Sequence, residues 1–300
     1  MKRLFKIVAL VLCFIPVVTL ATACGETNDF VLVSGSVSTN YKTFAEAYQA
    51  AESGDKIVLH KDAMLDKEIV LDKSITLDGQ SKYTIKAKEN FTIDSTFWGE
   101  NTNNYGNKMF FISKSTPNVT LTLKNVTLDA NRQGRVLVAQ GGKVVVDGAT
   151  LTGGLVTNNY VGGVYITNAA QFKMTSGSIT GNKIEGKYAE DNYLQYSADL
   201  WIGANAVGSI ASITGGTVGN VFVNSNEYSA NNPGSFTLNG GTITNVYVEY
   251  DRGFGGSLKF ESGTITKLLV STTTSGIATQ VTAVAGNTYV GGSAEPTPIA

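Results

Sequence analysis

Few side chains in this 300-residue sequence are placed to do chemistry, and the most suggestive are two carboxylates, Asp199 and Glu249. Each borders a short apolar run with an aromatic centre, Leu200-Trp201-Ile202 and Val246-Tyr247-Val248. If these runs are strands two places apart in one sheet, the carboxylates share a face at roughly 10 Å. A carboxylic acid and a carboxylate could then protonate a glycosidic oxygen and activate a water, although inverting pairs lie at about 6.5–9.5 Å and retaining pairs closer. They are weak catalytic candidates. His60, the single histidine, ends the run Ile57-Val58-Leu59 and reads as a surface residue. Asp129, Asp147 and Glu261 stand singly and read as solvated turn or strand residues. There is no calcium-loop spacing, no phosphate-cradling glycine loop and no His/Cys cluster, so no metal and no cofactor is implied.

A second chemistry is binding. Tyr165, Trp201, Phe222 and Tyr247 each occupy the centre of an apolar triplet, and Leu137 and Leu269 do so in Val136-Leu-Val138 and Leu268-Leu-Val270. In a strand the outer two residues point one way and the middle one the other. Aliphatic outer pairs fill a core, which turns the centres outward, about 4.8 Å apart from strand to strand. Arg135, Asp199, Asn220, Asn245 and Lys267 flank this stripe on one side, and Thr167, Asn224 and Glu249 on the other. Aromatic faces suit sugar C–H groups, and the polar flanks suit hydroxyls. The candidate ligand-binding residues are therefore Tyr165, Trp201, Phe222, Tyr247, Asn224 and Glu249. The competing reading is that insertions at 153–161, 183–198 and 224–234 fold back over the stripe, or that it is an oligomer contact.

The elements that must position these residues come from an internal repeat. An apolar-x-apolar strand, a turn, then Gly or a substitute before Ser/Thr-apolar recurs from Leu121, Val144, Phe172, Ala211, Phe236 and Leu258. The starts are 23, 28, 39, 25 and 22 residues apart, a unit of about 22–25 residues lengthened by insertions. A repeat of this length marks a solenoid, and short strands between Gly/Asn turns make it an all-β one, a β-helix. Asn182, Asn220 and Asn245 end their phrases alike and predict a structural ladder at one corner. Upstream, Thr43 to Gly54 carries the one helical signal beyond the leader: a capping box from Thr43 and Glu46, a Phe44/Ala47/Tyr48/Ala51 face, and Gly54 as a stop. A helix near 43–53 is predicted to cap the first coil, whose edge would otherwise be open.

The segment Phe44-Ala-Glu-Ala-Tyr-Gln-Ala-Ala-Glu-Ser-Gly-Asp-Lys-Ile-Val-Leu59, followed by Lys73-Ser-Ile-Thr-Leu-Asp-Gly79, resembles the opening module of bacterial surface proteins of the pectate-lyase-like superfamily. Gly162-Gly-Val-Tyr-Ile-Thr-Asn168 and Phe172-Lys-Met-Thr-Ser-Gly-Ser-Ile-Thr-Gly-Asn182 look like their repeat unit, so the likeness spans residues from about 40 to 270. It implies a single-stranded right-handed parallel β-helix over 41–285 and is poor for function, since lyases, glycoside hydrolases and adhesins share that fold. The carbohydrate-active members use clustered Asp/Glu with calcium and an Arg or Lys base, or grouped aspartates with a His, and no such cluster occurs here. The expected function is therefore non-catalytic and adhesin-like or glycan-binding through the stripe, toward a cell-surface or dietary polysaccharide. The alternative is a polysaccharide lyase or glycoside hydrolase using the carboxylates of the same face.

The ends bear on location. Lys2, Arg3 and Lys6 precede an apolar run from Ile7 to Ala21, too short to span a bilayer comfortably and shaped as a signal peptide over 1–23. Ala21-Thr22-Ala23 fits ordinary cleavage, whereas the small residues before Cys24 fit lipidation of that cysteine, an exported and membrane-anchored lipoprotein. Cys24 would be the only thiol left, and lipidation accounts for it. Residues 24–40 read as a tether and 286–300 as a flexible tail. Removal of the leader moves the net charge from −1 to −4, and with no Lys/Arg cluster nucleic acid is excluded as a partner.

Overall fold

The computed structural model describes residues 29–92, 106–190, 194–204, 208–225, 232–251, 254–270, 280–283 and 290–291. The expected leader at 1–23, Cys24 and most of the expected tail at 286–300 lie outside the described residues. The chain is all-β with one α-helix among the described residues, and its strands pair in parallel in three columns to which successive coils each contribute. The first column runs through Ile75–Asp78, Thr120–Lys124, Lys143–Asp147, Gln171–Met174 and Ile210–Ile213. The second runs through Thr84–Thr92, Thr127–Asp129, Ala149–Thr152 and Gly177–Ile179. The third holds Ile69–Leu71, Lys108–Ile112, Arg135–Ala139, Val164–Ile166 and Leu200–Ile202. In later coils the pairing continues around the corners, so the long strands Ser235–Val248 and Ser257–Val270 pass through all three columns, with register irregularities at Asn239.

The repeat phrase forms the first two columns, and its period-2 alternation selects what is buried. Leu121, Leu123, Val144, Val146, Phe172, Met174, Ala211, Ile213, Phe236, Leu238, Leu258 and Phe260 all lie in the core, while the residues between them face solvent. The corner that follows needs a left-handed backbone in coil after coil: Gly216, Gly241 and Gly263 have φ of +93°, +85° and +106°. A Cβ on Gly241 would also stand 2.7 Å from the Gly216 carbonyl oxygen of the coil below, so glycine serves both the turn and the stacking.

The capping helix α1 spans Phe44–Ala50, shorter than the predicted 43–53 because Ala51 is already extended. Its capping box is formed, with Thr43 Oγ1 accepting from the Glu46 N–H and Glu46 Oε2 from the Thr43 N–H. Phe44 and Ala47 are buried against the first coils, with the Phe44 ring edge-on to Phe30 and to Phe110 at 6.3 Å. The predicted tether over 24–40 needs correction in its second half. Residues Phe30–Ser34 form β1 and Val37–Tyr41 form β2, a hairpin that continues the first column antiparallel through β3, Asp55–Leu59. Phe30 and Leu32 are buried beside α1, which gives this segment an apolar face to hold and removes it from the linker.

Leu77 and Thr76 are neighbours on one strand, the first fully buried and the second partly exposed. Leu77→Ala should cost about 2–5 kcal/mol in denaturant unfolding and Thr76→Ala under about 0.5 kcal/mol. Equal effects would contradict the assigned strand faces.

Candidate functional site

The aromatic stripe is one column of the third face. Val70, Phe111, Val138, Tyr165, Trp201, Phe222, Tyr247 and Leu269 stand in matched register, one per coil. The expectation for Leu137 is corrected here. Leu137 pairs with Val164 and joins the core, so Val138 is the column member. All of Arg135–Ala139 is buried, and burial on both faces erases the alternation from which the phase is read.

The column points away from the coil interior, yet it is covered. Trp201, Phe222, Tyr247 and Leu269 are buried together with Val161 in a second apolar cluster, against which Tyr160, Leu194 and Tyr196 pack. Phe222 is 0 % exposed and Trp201 6 %. The Trp201 and Phe222 rings stack at 4.2 Å and 2°, Phe222 and Tyr247 lie at 4.9 Å, Tyr160 covers Trp201 at 5.1 Å and Tyr196 covers Tyr247 at 6.4 Å. The covering residues come from the insertions at 153–161 and 183–198. Strands Leu155–Thr157 and Lys183–Glu185 of these insertions pair in parallel, and Lys267 Nζ donates to Tyr196 OH at 2.9 Å. The expected open groove over Trp201, Phe222 and Tyr247 is thus a packed layer; Tyr165, at its margin, stays half-buried.

The two candidate carboxylates are apart. Leu200 pairs with Val221 and Val221 with Val246, so Asp199 aligns with Asn220 and Asn245 at one end of the strands, whereas Glu249 follows Val248 at the other. The offset is four residues along a strand, about 13 Å, as well as about 10 Å across two coils, beyond the span of a glycosidase pair. Asp199 instead completes the asparagine ladder. Its Oδ1 accepts from Asn182 Nδ2 at 2.9 Å and N at 3.3 Å, and its Oδ2 from Asn220 N at 2.9 Å and Nδ2 at 3.1 Å. Asn245 Nδ2 continues the chain to Asn220 Oδ1 at 2.8 Å, and Asn182 Oδ1 accepts from Gly154 N at 2.9 Å. The insertion after Asn182 displaces that residue from the column, and Asp199 takes its slot. Burial pushes the Asp199 carboxyl above its ordinary value, with the hydrogen bonds from Asn182 and Asn220 pulling the other way. Glu249 Oε2 accepts from Asn224 Nδ2, from Ser225 N at 2.9 Å and from Ser225 Oγ at 3.0 Å, holding the turn after Val223.

A buried charged group carries no clear mark in the sequence. Lys108 and Glu68 are fully buried with Nζ 3.3 Å from Oε1, and Arg135, aligned with Lys108, is buried beside them and donates to the Tyr160 carbonyl at 2.7 Å. Burial lowers the Lys108 ammonium to about 8, Glu68 acting in the opposite sense. The one available signal is the pair of triplets Ile69-Val-Leu71 and Phe110-Phe-Ile112, with Glu68 just ahead of the first and Lys108 two residues ahead of the second. Beside Arg135 lies a small cleft of about 180 Å³ whose walls include Asn107, Gln133, Thr157 and Asn159. The guanidinium also faces the Tyr165 ring, 5.9 Å from its centre. A larger cleft of about 380 Å³ lies at α1, where Lys42, Lys61, Lys67 and Lys88 meet Asp62 and Asp66 over an apolar floor. Among the described residues no three His, Cys, Asp or Glu side chains converge as metal ligands.

The fold and this site place the chain among parallel β-stacks with a covered aromatic column. Comparison with protein-family models, characterised proteins and solved structures gives no match.

Asp199 supplies a pH test. Its folded value exceeds the unfolded 3.8, so between the two the folded chain holds the extra proton. The stability it contributes is complete below the unfolded value and declines as pH rises through the folded one. Urea midpoints should therefore shift in favour of Asp199→Asn, relative to the parent chain, as pH is raised from about 4 to neutral; a shift the other way refutes the assignment.

Proposed function

We propose that this chain is a non-catalytic, exported surface protein of the right-handed parallel β-helix type, adhesin-like, which binds a cell-surface or dietary polysaccharide and is tethered by lipid on Cys24. The right-handed sense is supported by the parallel pairing of successive coils, because twisted strands joined to parallel neighbours return over the sheet in that sense. The likeness of the opening module and repeat unit to the pectate-lyase-like superfamily supports the same reading.

The observation that carries glycan binding is the junction of the polar cleft with the uncovered margin of the aromatic column. Tyr165 is half-buried with its ring beside Arg135, which lines the cleft, and Asn107, Gln133, Thr157 and Asn159 offer amide and hydroxyl groups within it. Sugar rings are bound by this combination, C–H faces on aromatics and hydroxyls on amides. The binding residues thereby move from the middle of the column to its edge. Catalysis has no such support, since both oxygens of Asp199 accept from Asn182 and Asn220, and Oε2 of Glu249 accepts from Asn224 and Ser225.

On a glycan array the purified chain should retain a polysaccharide without cleaving it, and Tyr165→Ala should weaken retention at least tenfold with the fold intact by circular dichroism. Trp201→Ala should act on stability instead, by about 3–5 kcal/mol. Release of shortened product, or full retention by Tyr165→Ala, would overturn the reading. For the tether, mass spectrometry of the chain from a bacterial host should find diacylglycerol on Cys24, and Cys24→Ser should leave the membrane fraction; an unmodified Cys24 would argue for simple secretion.

A further inference from the structure

The strand β2 is the outermost at the capped end. Among the described residues it pairs with β1 alone, from Ser34↔Val37 to Phe30↔Tyr41, and Val37, Ser38, Thr39 and Asn40 are exposed to solvent. The hairpin turns on two residues, Gly35 and Ser36, so Ser34 and Val37 form the hydrogen-bonded pair next to the turn and the pattern alternates from there. Val37, Thr39 and Tyr41 therefore address their backbone groups to β1, and Ser38 and Asn40 address theirs outward. Free edges are ordinarily blocked by a charge, a proline or a bulge. Val-Ser-Thr-Asn-Tyr has none of these, and Val37 is 63 % exposed, a large apolar side chain left in water.

We propose that β2 is a self-association edge, at which two copies of this chain join antiparallel about a two-fold axis through Thr39. This register is the one that overlaps the whole strand, and it agrees with the hydrogen-bond parity, since Ser38 meets Asn40 of the partner subunit as a hydrogen-bonded pair on each side of the axis. Thr39 meets the partner's Thr39 as the close, non-bonded pair, and Val37 meets the partner's Tyr41 at both ends. Thr–Thr and aromatic–β-branched contacts are favourable cross-strand pairs. Charge raises no obstacle: the strand is neutral, and the next cation, Lys42, falls opposite the partner's Ser36. A closed two-fold pairing of this kind uses each edge once and stops, which a head-to-tail stack of coils would not. Two five-residue edges cover less than the roughly 1,000 Å² of a stable interface, so the dimer is weak and dependent on concentration.

Sedimentation velocity of the purified full chain over a wide concentration series tests this. The parent should pass from monomer to dimer. Ser38→Pro removes an outward N–H while sparing every bond to β1, a place where edge strands tolerate proline, and should raise the dissociation constant at least tenfold with an unchanged thermal melt. Thr39→Lys, which sets like charges face to face, should do the same. Under mild oxidation Thr39→Cys should give a reducible dimer well above the background from Cys13 and Cys24, and Val37→Cys should not. A chain that stays monomeric at every concentration, a dimer indifferent to both Ser38→Pro and Thr39→Lys, or equal cross-linking at positions 37 and 39 would each overturn the proposal.

Discussion

Everything in this molecule depends on the backbone pairing between one coil and the next. A single coil of about 23 residues cannot enclose a core, because it is one strand thick and its apolar side chains meet too few partners. Parallel pairing in constant register solves this by placing like position over like position, so that Leu123, Val146, Met174, Ile213, Leu238 and Phe260 become one continuous apolar column. The side chains are then secondary to the register: a one-residue slip would turn every core residue of that strand outward.

The same stacking constrains what polar residues can do. Identical charges about 4.8 Å apart in a column would repel, so a polar column has to consist of groups that donate to and accept from each other. Amides can be both at once, which is why Asn245 gives to Asn220 and Asn220 gives to Asp199. A carboxylate fits such a ladder at one rung, where N–H donors from above and below converge on it. At Lys267 the column ends on a cation that turns aside to the Tyr196 hydroxyl rather than stacking on another charge. The buried cluster at the opposite end departs from this rule: Lys108 and Arg135, both cations, are register partners, and Glu68 beside Lys108 offsets part of their repulsion.

How much of this is legible in the sequence follows from where each feature's information lies. The repeat phrase is legible because burial on one face writes a period of two into the residues themselves, and α1 is legible because its capping box is contained in four consecutive residues. Arg135–Ala139 misleads because burial on both faces removes the period. Whether Trp201 and Phe222 are open or covered is not contained in their own triplets at all. It depends on Tyr160, Leu194 and Tyr196, which reach the stripe through insertions whose irregular course has no periodicity to read. Asp199 stands out in the sequence, yet its role is a rung of the ladder and not an acid opposite Glu249. An aligned set of repeats shows which residues are neighbours across coils, and says less about which end of a strand each one occupies.

A repeat that builds itself by edge pairing must also stop, and the stopping device is where this chain departs from its own pattern. α1 closes the interior of the first coil with Phe44 and Ala47, which settles the apolar cross-section but leaves the strand edge around it untouched. The hairpin of β1 and β2 adds two antiparallel pairings beyond β3, so β2 runs in the direction of the column again and strand direction alone does not close its edge. An edge strand can pair in either sense, and β2, which carries no charge, proline or bulge, reads acceptably against its own reverse, which favours an antiparallel second copy. The hairpin that ends the stack in one molecule is thus the edge proposed to receive a second.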